Sequence, residues 1–159
     1  MDIMKRTQVS RELFAGDYNC AQSVIKALTD VSQLEDYLSE ALTAGFGGGV
    51  GGHQEICGAV SGASLAISHA IFKMYDDNAL GKDKAREAVS IFVSKFKESF
   101  GNVRCHDLTG YDFSDEVQKQ AFVDSGTKER VCMKAVEFSV DLAHEMIVNH
   151  EDGYKSIAD

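Results

Sequence analysis

The chain has 159 residues, with no proline, no tryptophan, four cysteines and fourteen glycines; this suits one domain over residues 1–159, with a core that closes without disulfide or metal. A formal charge of −9 excludes nucleic acid as a main partner, because phosphate binding calls for clustered Lys and Arg. The opening Met1-Asp2-Ile3-Met4-Lys5-Arg6 has no apolar run behind its basic pair, so no signal peptide is expected, the chain is read as cytosolic, and its cysteines read as thiols, ligands or a redox couple rather than static staples.

In chain order, the apolar spacing predicts a helix over about 4–15, with Val9, Leu13 and Phe14 on one side and Gly16 as its stop. A second runs from about 17 to 31 on the stripe Cys20, Val24, Ala27, Leu28 and Val31. A shorter one over about 34–44 carries Leu38, Ala41 and Leu42. The stretch from Gly45 to Gly52 follows, six of its eight residues glycine. A long helix is predicted over about 55–75. It has no charged side chain from Ile56 to Phe72, but it is short for a membrane span and holds several polar residues, so it reads as the buried centre of a bundle. Residues 82–100 form an amphipathic helix through Ala85, Val89, Phe92, Phe96 and Phe100. Residues 102–114 read as irregular, 115–123 as a short helix, and 127–149 as the last helix, with Cys132, Val136, Ser139, Ala143 and Met146 near one stripe. The tail from Glu151 reads as polar and frayed. No segment alternates as a strand, so the expected architecture is an all-α bundle of about five or six helices.

The cysteines are Cys20, Cys57, Cys105 and Cys132. No C-x-x-C or C-x-x-C-H exists, which removes thioredoxin, zinc-ribbon and haem-attachment motifs. Each comes from a different local element, and three readings stay open: core packing, thiol redox chemistry, and metal or cluster ligation. Cys57 has the strongest case for reactivity. It falls in the first turn of the predicted central helix, where free N–H groups favour a thiolate, and His53 precedes it by four residues. Cys20 and Cys132 lie on apolar stripes. In Cys57-Gly58-Ala59-Val60-Ser61-Gly62 two glycines four apart leave a flat strip for another backbone, a cofactor or a partner sulfur.

Gly47, Gly49 and Gly52 satisfy G-x-G-x-x-G, but a helix precedes them and no βαβ unit surrounds them, so a dinucleotide site is rejected. Gly52-His53-Gln54 is not a phosphate loop, although an anion nest stays open. His69 lies roughly 18 Å along the helix from Cys57 and cannot share an ion with it. In Cys105-His106-Asp107 the cysteine is the favoured candidate. Asp112 and Asp115 read as turn and cap residues.

Together these residues resemble the redox-active family labelled C-GCAxxG-C-C, over roughly Gly16 to Ala143. The first family cysteine is similar to Cys20, the second to Cys57 behind Phe46-Gly47-Gly48-Gly49, the third to Cys105 and the fourth to Cys132. The label reads G-C-A-x-x-G where this chain reads Cys57-Gly58-Ala59-x-x-Gly62, with Ile56 before the cysteine. The resemblance implies a small helical protein with four working cysteines. Through a similar domain in split-Soret cytochromes it also implies an iron–sulfur site; haem is not carried over, because its attachment motif is missing.

Three functions follow. In the first, a thiol redox protein attacks through Cys57, with Cys20, Cys105 or Cys132 resolving. In the second, an electron-transfer or metal module uses all four cysteines to hold an iron–sulfur cluster or zinc, approached by Gly47, Gly48, Gly49, Gly58 and Gly62. In the third, a binding protein keeps its cysteines for structure. A redox partner is implied without its class, and a homodimer stays open.

Overall fold

The computed structural model describes residues 1–152 and is all-α as expected, with no strand among the described residues. Nine α-helices are present among those residues: α1 (Ile3–Ala15), α2 (Cys20–Ala27), α3 (Thr29–Ser32), α4 (Asp36–Thr43), α5 (Gly58–Phe72), α6 (Asn78–Phe100), α7 (Cys105–Thr109), α8 (Glu116–Asp124) and α9 (Lys134–Val148). The count exceeds the expected five or six. One predicted helix is split, and one segment read as irregular contains a helix.

The split falls in the predicted 17–31 helix. α2 starts at Cys20 because Asn19 caps it reciprocally with Gln22: the Asn19 side chain accepts from Gln22 N–H, and the Gln22 side chain accepts from Asn19 N–H. The helix breaks at Leu28, whose N–H turns back to Ile25 O, and α3 ends on Gln33 in the left-handed region. The break lets Asp30 face Arg6. That arginine overturns the expected face of α1, where Arg6, Ser10 and Phe14 are buried rather than Val9, Leu13 and Phe14. Arg6 is fully buried and donates to Ala27 O at 2.6 Å, to Met1 O at 2.9 Å and to both Asp30 carboxylate oxygens.

α4 is likewise turned. Ser39 and Thr43 are buried, while Leu38 and Leu42 are 44% and 49% exposed. The two hydroxyls donate to backbone carbonyls within the helix, Ser39 to Asp36 O and Thr43 to Ser39 O, both at 2.7 Å. Satisfied this way, small polar residues can sit against α2 without cost from unmet hydrogen bonds.

α5 is the hub and packs on α2, α6 and α9. A Cβ on Gly62 would lie 2.5 Å from Ala21 O, so the glycine strip is where the backbone of α2 comes close. Across α5, α6 contributes buried Ala85, Phe92 and Phe96, with Val89 and Phe100 partly covered. Phe96 stacks on Phe100 at 4.6 Å and meets Phe138 of α9 edge-on at 5.9 Å.

The predicted 127–149 helix holds, but its first part, Lys128–Met133, is a π-helical turn leading into α9. The tail expected to fray begins in a last 3₁₀ turn, Asn149–Asp152; residues 153–159 lie outside the described part. No described helix is long and apolar enough to cross a membrane.

Candidate functional site: a cavity walled by four cysteines

Four distant segments bring their cysteines to one place, each by a local device. Cys20 is the first residue of α2, set by the Asn19 cap. Beside it, Gly48, Gly49, Val50, Gly51 and Gly52 all have positive φ, between 62° and 80°, making a left-handed turn that only a glycine-rich chain adopts readily. The next two cysteines are held by each other's flanking segments. Cys57 N–H donates to Val103 O at 2.8 Å and Cys105 N–H to Glu55 O at 2.7 Å, around an antiparallel bridge between Ile56 and Arg104. This pairing keeps residues 55–57 extended. The central helix therefore begins at Gly58 rather than near Glu55, and Cys57 is its N-cap, not a first-turn residue. Cys105 opens α7 inside the segment expected to be irregular. Cys132 sits in the π turn, a break in regular pitch that commonly marks functional sites.

All four cysteines are free thiols and line one cavity of about 250 Å³. Phe14, Tyr18, Phe113 and Phe122 supply apolar and aromatic wall, with Asn19, Gly48 and Lys128 completing it. A larger groove of about 550 Å³ lies between α5 and α6 around His69, Phe72, Lys82 and Arg86, but it holds no cysteine.

Burial governs the thiols. It pushes Cys57, Cys105 and Cys132 up to about 12, and Cys20 above its usual value. The neighbours add to this. Every one of the six pairings among the four cysteines appears as a repulsion that opposes thiolate formation. The opposing influences are weaker: backbone N–H groups of Gly48, Ala21 and Gly58 at Cys20, those of Ala59 and Val60 at Cys57, and the Lys128 ammonium at Cys132. The helix-start amides expected to activate Cys57 are thus present, but burial outweighs them. Cys57 is 8% exposed, and Cys20 and Cys132 are the more open pair.

The glycines divide by position. Gly48 lines the cavity. A Cβ on Gly49 would lie 2.7 Å from both Cys105 Cβ and Gln54 Cα, and one on Gly47 2.8 Å from Asn19 Cβ. A Cβ on Gly58 would collide with Cys20 Sγ and come within 2.9 Å of Phe46 O, whereas Gly62 meets only the backbone of α2. His53 is exposed in the loop and does not line the cavity. His69 is held elsewhere, its Nδ1 2.9 Å from Ser32 O, and His106 pairs with Asp107 on the surface. Asp115 caps α8 and Asp112 accepts from Ser114, as expected of cap and turn residues. Among the described residues no three His, Cys, Asp or Glu stand close enough to share one metal ion.

Sequence reasoning missed Lys128, the aromatic wall and Gln54. Lys128 had a usable signal, since it precedes Cys132 by four residues on a predicted helix and so shares its face. Gln54 had none: it is a polar residue in a loop, yet only 4% exposed.

With four convergent cysteines in place, the comparison with known families is decisive. The family model described as "Putative redox-active protein (C_GCAxxG_C_C)" matches residues 18–146. The chain belongs to this family. The matched span contains all four cysteines that wall the cavity. The chain is also similar to an "Uncharacterized protein" of Archaeoglobus fulgidus, 29% identical over 147 residues, covering 87% of this chain and 90% of that protein. No solved structure matches.

Proposed function

We propose that the four cysteines of this redox-active protein work as one set, holding an iron–sulfur cluster through which the protein exchanges single electrons with a partner. The observation that carries the reading is the convergence of Cys20, Cys57, Cys105 and Cys132 on one cavity in which each disfavours the charge of every other. Four buried or half-buried thiols facing one another gain from a cationic centre, since a bound metal deprotonates a coordinating thiol outright. As placed, they surround a space of about 250 Å³ rather than a point, which suits a multi-atom cluster and speaks against one zinc ion. The donor set fits, because iron–sulfur clusters are held by cysteine thiolates. The group would supply one-electron oxidation and reduction. The chain's own part is to exclude water with Phe14, Phe113 and Phe122, and to aim the Gly48, Ala21 and Gly58 amides at Cys20, where such contacts tune a potential.

The test is anaerobic purification with iron, acid-labile sulfide and visible absorption measured on one sample. The expected result is iron and sulfide together in a coloured protein, lost when any one cysteine is changed to serine. A colourless, iron-free protein after reconstitution with iron and sulfide, still with four titratable thiols, overturns it.

A second reading is dithiol–disulfide exchange, favoured by one observation. Cys20 is partly exposed, borders the Cys57–Gly58 step, and receives amide N–H groups that ease thiolate formation. It reverses the expected order, with Cys20 attacking and Cys57 resolving. Mapping of disulfides in the air-oxidised protein tests it: a Cys20–Cys57 link supports it, and four free thiols after oxidation exclude it.

A further inference from the structure

The cavity has a floor and a cover built in different ways. The floor is α2, the left-handed turn and α5, in contact too close for a side chain at Gly58 or Gly62. The cover is the segment from Tyr111 to Ser125, and it includes α8, which buries none of its residues. Phe113 and Phe122 of this segment reach inward to line the cavity. They pack on each other at 4.8 Å, with Tyr111 against Phe122 at 5.9 Å. Glycines in the left-handed region stand at both ends, Gly110 at φ 73° and Gly126 at φ 71°.

One buried side chain ties this segment down. Gln54 Oε1 accepts from Phe113 N–H at 2.7 Å, and Gln54 Nε2 donates to Tyr111 O at 2.8 Å and, more distantly, to Thr109 Oγ1 at 3.4 Å. The backbone of Gln54 joins the floor as well. Its N–H donates to Gly48 O at 2.9 Å, and its carbonyl accepts from His106 N–H at 3.1 Å. Gln54 therefore bridges the glycine turn beside Cys20, the start of α7 that carries Cys105, and the cover. Its own φ of 56° is unusual for a residue with a Cβ, so the fold holds it in a conformation that costs energy locally.

We infer that Gln54 is the positioning residue of the cysteine cavity, latching residues 111–125 as a hinged cover that sets access to the four sulfurs. The inference deepens the reading of the cavity as the working site and rests on it, but not on what the cysteines hold. A latch of two short hydrogen bonds, over a segment with no buried residue of its own in α8, opens far more readily than the core. Local opening follows the few contacts that must break. The closed cover keeps water and bulky reagents from the sulfurs. An open one admits a reductant, an oxidant or a delivery partner.

The test is iodoacetamide labelling of the full-length, reduced chain after chelation, with hydrogen exchange followed in parallel. Removing the latch in Gln54→Ala is expected to speed labelling of the cavity cysteines about tenfold, the size of effect two lost hydrogen bonds produce. Faster exchange should be confined to residues 111–125, with the amides of α5 unchanged; a merely structural role would loosen α5 as well. Phe122→Ala guards against a misfolded latch variant, because Phe122 packs within the cover, on Tyr111 and Phe113, and not in the buried core. It should raise labelling at an unchanged melting temperature. Unchanged labelling in a Gln54→Ala protein that keeps its melting temperature overturns the inference, and so does unchanged labelling in Phe122→Ala. An iron-free wild-type protein would sink the cluster reading and leave this test standing.

Discussion

Two places in this molecule bury ionisable groups, and they are treated in opposite ways. At Arg6 the fold surrounds a fully buried guanidinium with acceptors, the carbonyls of Met1 and Ala27 and the Asp30 carboxylate. The guanidinium holds Asp30 down to about 2. At the cysteine cavity four groups of the same prospective charge face one another with one ammonium, Lys128, beside them. A buried charge normally keeps its partner. The charge at the first site is balanced within the chain, although Arg6 Nε finds no acceptor among the described residues. The second is balanced only while its thiols stay neutral, or when something positive enters. That difference separates a structural charge from a site built to receive one.

Alkali gives the largest effect that could break the contrast. Unfolded thiols ionise near 9.0, whereas Cys57, Cys105 and Cys132 ionise near 12 when folded. A group whose folded pKa is raised contributes stability below its unfolded pKa and loses it as pH rises to the folded one. The reduced, metal-free protein should therefore lose stability steeply between pH 9 and 12. Denaturant melts at successive pH values, compared with Cys57→Ala, measure this: the variant should show a shallower loss. Parallel curves for the two proteins would mean the thiols ionise as freely inside as outside.

The acid limb belongs to Asp30. Its folded pKa of about 2 lies below the ordinary 3.8, so its contribution is present above pH 4 and lost as pH falls toward 2. Asp30→Asn should remove this dependence and cost about 1–2 kcal/mol at neutral pH, less than unpairing a fully buried charge because the Asp30 carboxylate is half-exposed. An unchanged unfolding midpoint would show that the Met1 and Ala27 carbonyls suffice for Arg6.

Neither site was fully legible in the sequence, for different reasons. The four cysteines, the glycine turn and the central apolar helix stood out because composition and spacing mark them. So did the α6 stripe, where Phe92 and Phe96 are buried as their spacing required. Arg6 did not stand out, since a charged residue near the N-terminus reads as solvated until Asp30 is known to face it. The faces of α1 and α4 misled because Ser10, Ser39 and Thr43 satisfy their hydroxyls within their own helices and can be buried, which apolar periodicity does not register. The start of α5 was misplaced because the Ile56–Arg104 bridge is a long-range pairing, and no local pattern encodes it. That error carried the chemistry with it. A first-turn Cys57 would be activated, whereas the observed N-cap Cys57 is buried among like groups.

The smallest effect tests the one positive charge that the chain itself supplies. Lys128 lies four residues before Cys132, lines the cavity, and rests its ammonium 4.8 Å from the centre of the Phe14 ring. Its charge favours the Cys132 thiolate, but burial and the nearby Cys57 and Cys20 outweigh it. Lys128→Met keeps the aliphatic stem against Phe14 and removes only the charge. A single partly solvated ion contributes modestly, so Cys132 should label about two- to threefold more slowly at fixed pH in the variant. Melting temperature should hardly move. The effect should be largest at Cys132, where the Lys128 ammonium favours the thiolate. Equal slowing at Cys20 or Cys57 would mean that the ammonium acts on the cavity as a whole, and the fourfold site would then be less one-sided in charge than the contrast with Arg6 requires. No change at Cys132 would mean that solvent screens Lys128 completely, leaving the four sulfurs with no charge partner from the chain.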